Sequence, residues 1–206
     1  MKNIIKIIIL SAITISCRAQ TPVFDIEDFD NITKDIHGAY YKDIHNKLDD
    51  FEGVYVYTNG STSLKIVLQK KTMSNMNGYS YEDLIIGEYQ YIENGVEKRN
   101  TLSKLNTSYT NQRNHAIASR FLLTGTGLGC SDCTSTEKRI KGGLIDDTAN
   151  ALANIQLRKI TVNGKVAIKL SLYWETKTKQ EGQVLIKPFI APGSYVLIKE
   201  IPVGID

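Results

Sequence analysis

The spacing of apolar and polar residues changes twice along this chain. After Lys2, the residues Ile4, Ile5, Ile7, Ile8, Ile9 and Leu10 form an apolar stretch, broken by Lys6 and fading out at Ile15. From Asp25 to Asp50 the text is polar, with Phe29, Ile32, Ile36, Tyr40 and Ile44 at helical spacing and Gly38 interrupting them. That pattern predicts a lead-in segment over 20–50 with one short helix. From Phe51 the period becomes two, as in a strand with one buried side.

Val54 and Val56 alternate with Tyr55 and Tyr57, and Leu64, Ile66 and Leu68 alternate with Lys65, Val67 and Gln69. These predict two strands joined by a loop from Thr58 to Ser63, in which Asn59-Gly60 tolerates the positive φ of a reversal. Ile85, Gly87, Tyr89 and Tyr91 then face one way, and Asn94-Gly95 turns the chain into Val96–Arg99. The most regular stripe is Val166, Ile168, Leu170, Leu172 and Trp174. Asn163-Gly164 joins it to a strand over 155–162, where Arg158-Lys159 breaks the alternation and predicts a bulge. A last pair is predicted over 184–190 and 195–201, around the turn Ala191-Pro192-Gly193-Ser194. Only Asp146–Asn154 reads as helical in this half, with Asp146 or Asp147 as its N-cap and Ala149, Leu152 and Ala153 on one face. The whole predicts an all-β, single antiparallel meander with little helix, either a lipocalin-like barrel or a two-sheet sandwich over 51–206.

Residues 1–19 have the flanks and length of a secretory signal: a basic start, a short apolar run and a small-residue end at Ser16-Cys17-Arg18-Ala19. Cleavage after Ala19 would free a soluble protein beginning at Gln20, whereas lipidation of Cys17 would tether it. Either way the expected address is outside the cytoplasm, in the periplasm, the outer envelope or the medium. The run is shorter than the roughly 20 residues of a membrane-spanning helix.

Loss of Lys2, Lys6 and Arg18 takes the formal net charge of +3 to neutrality. A neutral chain lacks the overall attraction that a phosphate backbone needs, so no nucleic-acid partner is expected. No linker or low-complexity block divides the rest, which predicts one domain.

Cys130 and Cys133 remain as an even pair. Gly125, Gly127 and Gly129 before them and Thr134, Ser135 and Thr136 after them read as loop, which favours a stapling disulfide over a free, metal-bound or redox-active pair. His37, His45 and His115 are not at ligand spacing, so no metal or cofactor is expected. The Gly125–Gly129 run lacks the lysine and following helix of a phosphate loop. The adjacent carboxylates Asp49-Asp50, Glu82-Asp83 and Asp146-Asp147 read as solvated or capping groups, and no nucleophile motif occurs, so no catalytic residue is assigned. Tyr55, Tyr57, Tyr79, Tyr81, Tyr89, Tyr91, Tyr173 and Tyr195 suit either an aromatic platform or ordinary strand packing.

Phe51-Glu52-Gly53-Val54-Tyr55, Leu64–Leu68 and Gly87-Glu88-Tyr89-Gln90-Tyr91 with Glu93-Asn94-Gly95 resemble an uncharacterised family of small exported bacterial proteins, a domain of unknown function. The resemblance implies a shared fold and no activity. The opening Phe-x-Gly-x-aromatic is more loosely similar to the first strand of lipocalin-like barrels. Two functional expectations follow. One is a non-catalytic module for a small apolar or amphipathic ligand, lined by Tyr89, Tyr91, Ile168, Leu170, Leu172 and Trp174. The other is an envelope structural or protein-interaction module in which those same residues are core.

Overall fold

The computed structural model describes residues 21–28, 36–126, 130, 132–175 and 187–201. Its strands are β1 (Val23–Asp25), β2 (Tyr40–Lys42), β3 (Gly53–Asn59), β4 (Thr62–Met76), β5 (Ser80–Glu93), β6 (Val96–Asn100), β7 (Ile117–Thr124), β8 (Lys138–Asp146), β9 (Ala151–Val162), β10 (Lys165–Trp174) and β11 (Gly193–Glu200). Eight of them, β3, β4, β5 and β7 to β11, pair antiparallel with their neighbours, and β11 returns to β3 to close a barrel. The sequence left open a barrel or a sandwich; the structure is the barrel.

Turn chemistry explains the meander. Asn94-Gly95 and Asn163-Gly164 have φ of 53° and 76°, and of 49° and 74°. Both residues of each pair are left-handed, as the tightest hairpins require. The β3–β4 reversal is tighter than the sequence suggested, because Asn59 still pairs with Thr62.

β5 organises the barrel. One edge pairs with β4, and the other is shared in sequence by β2 at Tyr81–Glu82, β7 at Ile85–Gly87 and β6 at Gln90–Glu93. In the gap before β6, Thr101 fills the ladder. Its amide donates to the Tyr89 carbonyl at 2.8 Å and its Oγ1 accepts from the Tyr89 amide at 3.0 Å.

Inside, Tyr55, Leu64, Ile66, Tyr89, Ile117, Leu144, Ile155, Leu157, Ile168, Leu170, Leu172 and Leu197 are buried in one cluster. Both ends are covered. At one end Ile26, Ala39, Tyr41 and Leu48 of the lead-in segment, with Phe51 just after it, join the core. At the other, Trp174 donates Nε1–H to the Ile190 carbonyl at 2.8 Å and Phe189 packs beside it.

Several sequence expectations are corrected. Asp146–Asn154 is the end of β8, a turn and the start of β9. Asn150 there is left-handed, and Ala151, Ala153 and Ile155 alternate inward as strand residues. Asp146 does cap, but it caps the turn, accepting from the Thr148 and Ala149 amides.

No bulge occurs at Arg158-Lys159, since β9 and β10 stay in register throughout. Lys159 keeps the inward phase but lies past the core, where it pairs with Asp50 at 2.6 Å. Lys187–Ile190 is irregular rather than a strand, and residues 184–186 lie outside the described ones. In the lead-in, Ile36–Leu48 forms turns and β2 instead of a helix. Gly38 is left-handed there, and Phe29 and Ile32 lie outside the described residues. The tyrosines make no single platform: Tyr55 and Tyr89 are buried, Tyr57 and Tyr195 meet edge to face, and Tyr79 and Tyr173 are exposed.

Candidate functional site

The strands that sequence periodicity missed, β7 and β8, carry a recess on the surface. β7 has one residue more than β8 between Ala118 and Phe121, a bulge that sets Ser119 and Arg120 against Gly142. Ser119 faces inward, donates its hydroxyl to the Lys141 carbonyl and accepts from the Phe121 amide at 2.9 Å. Gly142 is required by this packing, because a Cβ there would lie 2.7 Å from the Ser119 Cβ and 3.0 Å from the Ala118 carbonyl oxygen.

On the outer face the register places Ala118, Gly143 and Asn154 in one row across β7, β8 and β9. These are small side chains between rows of larger ones. Ile145 and Leu152 stand as a pair on one side, and Phe121 and Lys141 on the other. The result is a trough of about 500 Å³ on the barrel wall. A second, more polar hollow of about 320 Å³ lies between β4, where its register shifts between Lys71 and Ser74, and residues 106–112.

One flank of the trough is built from charge. Glu82, fully buried, accepts from Arg113 Nε and Nη2 at 2.7 Å each and from Arg120 Nη1 at 2.7 Å. Arg120 also lies over the Tyr41 ring, 4.3 Å from its centroid, which ties the flank to the lead-in segment. Removing Glu82 would leave Arg120, only 11% exposed at its side chain, without this carboxylate, whereas Arg113, 38% exposed, would be screened by solvent. Glu82 and Asp83, read from the sequence as solvated or capping groups, are therefore not solvated. Asp83 is buried too, and accepts from the Tyr40 hydroxyl and from the amides of Asp43 and Met73.

Bordering the trough as well, buried His115 meets Glu88 through Nδ1 at 2.8 Å and Gln112 through Nε2 at 3.3 Å. Both ring nitrogens are engaged, and so is the Ser119 hydroxyl. No nucleophile in the recess has a free base beside it, so the arrangement can bind but shows no catalytic pair.

The chain belongs to a family of unknown function (DUF6705), whose family model matches residues 1–200. No curated protein and no solved structure matches it. For this DUF6705 chain the function must therefore be argued from its own site.

The residues expected to line a ligand are placed as follows. Tyr89, Tyr91, Ile168, Leu170 and Leu172 are packed together inside the barrel, and half-buried Trp174 caps it. None of them borders the trough. Val166, the first residue of that stripe, is exposed. Burial raises the Tyr89 hydroxyl pKa well above its ordinary value, with nearby Asp146 adding to the effect, so this phenol stays neutral.

Cys130 and Cys133 are joined as a disulfide. Asp132 between them pairs with Arg158 at 2.8 Å, and Arg158 also holds Glu137. In the glycine run, the Gly125 carbonyl accepts from buried Arg139, while Gly127, Leu128 and Gly129 lie outside the described residues, as do Cys17 and Ala19. Among the described residues no His, Cys, Asp and Glu group could hold a metal ion, and no helix is long and apolar enough to cross a membrane.

Proposed function

We propose that this protein is a non-catalytic binding module for a small amphipathic molecule, exported from the cell and either soluble or tethered through Cys17. The observation that carries the reading is the trough. A mainly apolar recess of about 500 Å³ lies within the range of small-molecule sites, and its floor exists only because Gly143 has no side chain. The packed lumen directs the search to the wall. Export is supported by the signal-like start of the chain and by the disulfide.

Native mass spectrometry of the protein from its own host, set against the denatured mass, tests both parts. The ligand reading expects a non-covalent mass of a few hundred daltons on the wild type and none on Gly143→Leu, whose side chain would fill the floor. A bare polypeptide in both would overturn it. The denatured mass also separates a chain beginning at Gln20 from one beginning at a lipid-modified Cys17. A chain retaining residues 1–19 would overturn export.

A second reading, an envelope protein-interaction module, is favoured by apolar side chains exposed on the same wall. Ile145, Leu152 and Tyr173 are 39%, 40% and 61% exposed; Ile145 pairs with Leu152, and Tyr173 stands opposite Asn154 on the next strand.

A further inference from the structure

We infer that the second hollow, beside β4, takes a neutral, hydroxyl-rich ring such as one hexose unit. The site is separate from the trough, with which it shares no bordering residue, and it can fail while the trough reading stands. Its walls come from two elements that β5 holds in place. On the β4 side, Lys71 pairs with Leu84 and Ser74 with Glu82, so Thr72 and Met73 stand against Asp83 alone. The extra residue puts Met73 in the left-handed region, with φ of 49°. Buried Asp83 fixes it there by accepting from the Met73 amide at 2.8 Å. For a residue such as Met, that conformation persists only where surrounding bonds over-determine it, as at ligand sites. On the other side, Gln112 donates Nε2–H to the Tyr109 carbonyl at 2.7 Å, and the Tyr109 ring meets His115 edge to face, with centroids 4.8 Å apart. His115 is in turn held by Glu88 of β5.

The chemistry of the border sets the ligand class. Among the described residues it consists of five hydroxyl side chains, three amides, the Tyr109 phenol and the Lys71 ammonium. The β5 carboxylates Glu82, Asp83 and Glu88 are buried and do not border it. Hydroxyl and amide groups both donate and accept, and so does each hydroxyl of a sugar ring, whereas an oxyanion only accepts and an alkyl chain does neither. Among the described residues, the side chains of Thr72, Asn106, Thr107, Ser108 and Thr110 hydrogen-bond to no other protein group, so their capacity is left for a ligand. Half-buried Tyr109 adds ring surface for the C–H face of a sugar. A volume of about 320 Å³ stands at the small end of ligand sites, which suits one ring rather than a chain of them.

The test titrates glucose, galactose and N-acetylglucosamine into the protein and follows its amide shifts by NMR, with tetrahydropyran, the same ring stripped of hydroxyls, and inorganic phosphate as comparisons. At least one sugar should give saturable shifts centred on Thr72, Ser74 and Thr107, with a Kd on the order of 1 mM, at least about tenfold tighter than tetrahydropyran. Added salt should change that affinity little, since no ion pair is formed. The double change Asn106→Leu and Thr107→Val, at exposed residues, should weaken the sugar at least about threefold and leave the urea midpoint in place. No saturable shift with any of the three sugars, equal affinity for tetrahydropyran, shifts centred elsewhere, or unchanged affinity in the double variant would overturn the site. Phosphate that binds more tightly than every sugar would overturn the ligand class in favour of an anion.

Discussion

The lumen and the outer wall of β7, β8 and β9 are made by alternate residues of the same strands, yet they behave as opposites. Inward, Ile117, Leu144, Ala153 and Ile155 meet the large side chains of β4, β5 and β10 and fill the space. Outward, Ala118, Gly143 and Asn154 leave a hollow that their taller neighbours enclose. A closed barrel does not by itself confer a ligand cavity. The size of side chains along one row decides which face of the wall has room.

The contrast can be broken most severely from within. Leu170→Ala removes a fully buried lumen side chain and should cost about 2–5 kcal/mol in chemical denaturation, while the folded fraction still binds at the trough. Gly142→Val should cost about 1–3 kcal/mol through overpacking, because its Cβ collides with Ser119 and with the Ala118 carbonyl. Since that glycine seats the bulge, this variant should also weaken ligand binding, which Leu170→Ala should not.

Gly143→Leu sharpens the comparison from the other side. Its Cβ would be tight only against the movable Leu152 Cδ1, at 3.0 Å, and in ordinary contact with the Ala153 carbonyl oxygen at 3.8 Å, so stability should shift by less than about 1 kcal/mol while binding is lost. A large destabilisation with binding retained would mean that the two faces are not separable.

The smallest effect concerns acid. The Arg158 hydrogen bond holds the Glu137 carboxyl below the usual range, against the opposing effect of burial. A depressed carboxyl contributes stability that is fully present above its unfolded value of about 4.5 and is lost as pH falls through the folded value. Arg158→Met should therefore lower stability slightly at neutral pH and flatten its decline in acid, as read by urea midpoints across pH.

The hairpins at Asn94-Gly95 and Asn163-Gly164 were legible because alternation and turn chemistry agreed there. β7 and β8 were not, for the reason that makes them interesting. A bulge at Ser119-Arg120 shifts the phase of one strand, and Gly142-Gly143 removes two side chains from the other. Ala149, Leu152 and Ala153 then imitated one face of a helix, although Ala149 lies in the turn after β8 and Leu152 and Ala153 stand on opposite faces of β9. Arg113, Arg120 and Glu82 could not be grouped from sequence, since the elements joining them meet only when β7 docks on β5. The one available signal was a tandem glycine inside an otherwise β-forming stretch, which marks close approach or a bulge.

The seam between β3 and β11 has a consequence for the order of events during folding. It joins the first barrel strand to the last, through pairs such as Tyr55 with Lys199. Contacts so distant along the chain form late and slow the overall rate. Hairpins from β3 to β10 can assemble as the polypeptide emerges, but until Ile198–Glu200 arrives the β3 edge stays unpaired and open to the wrong partner.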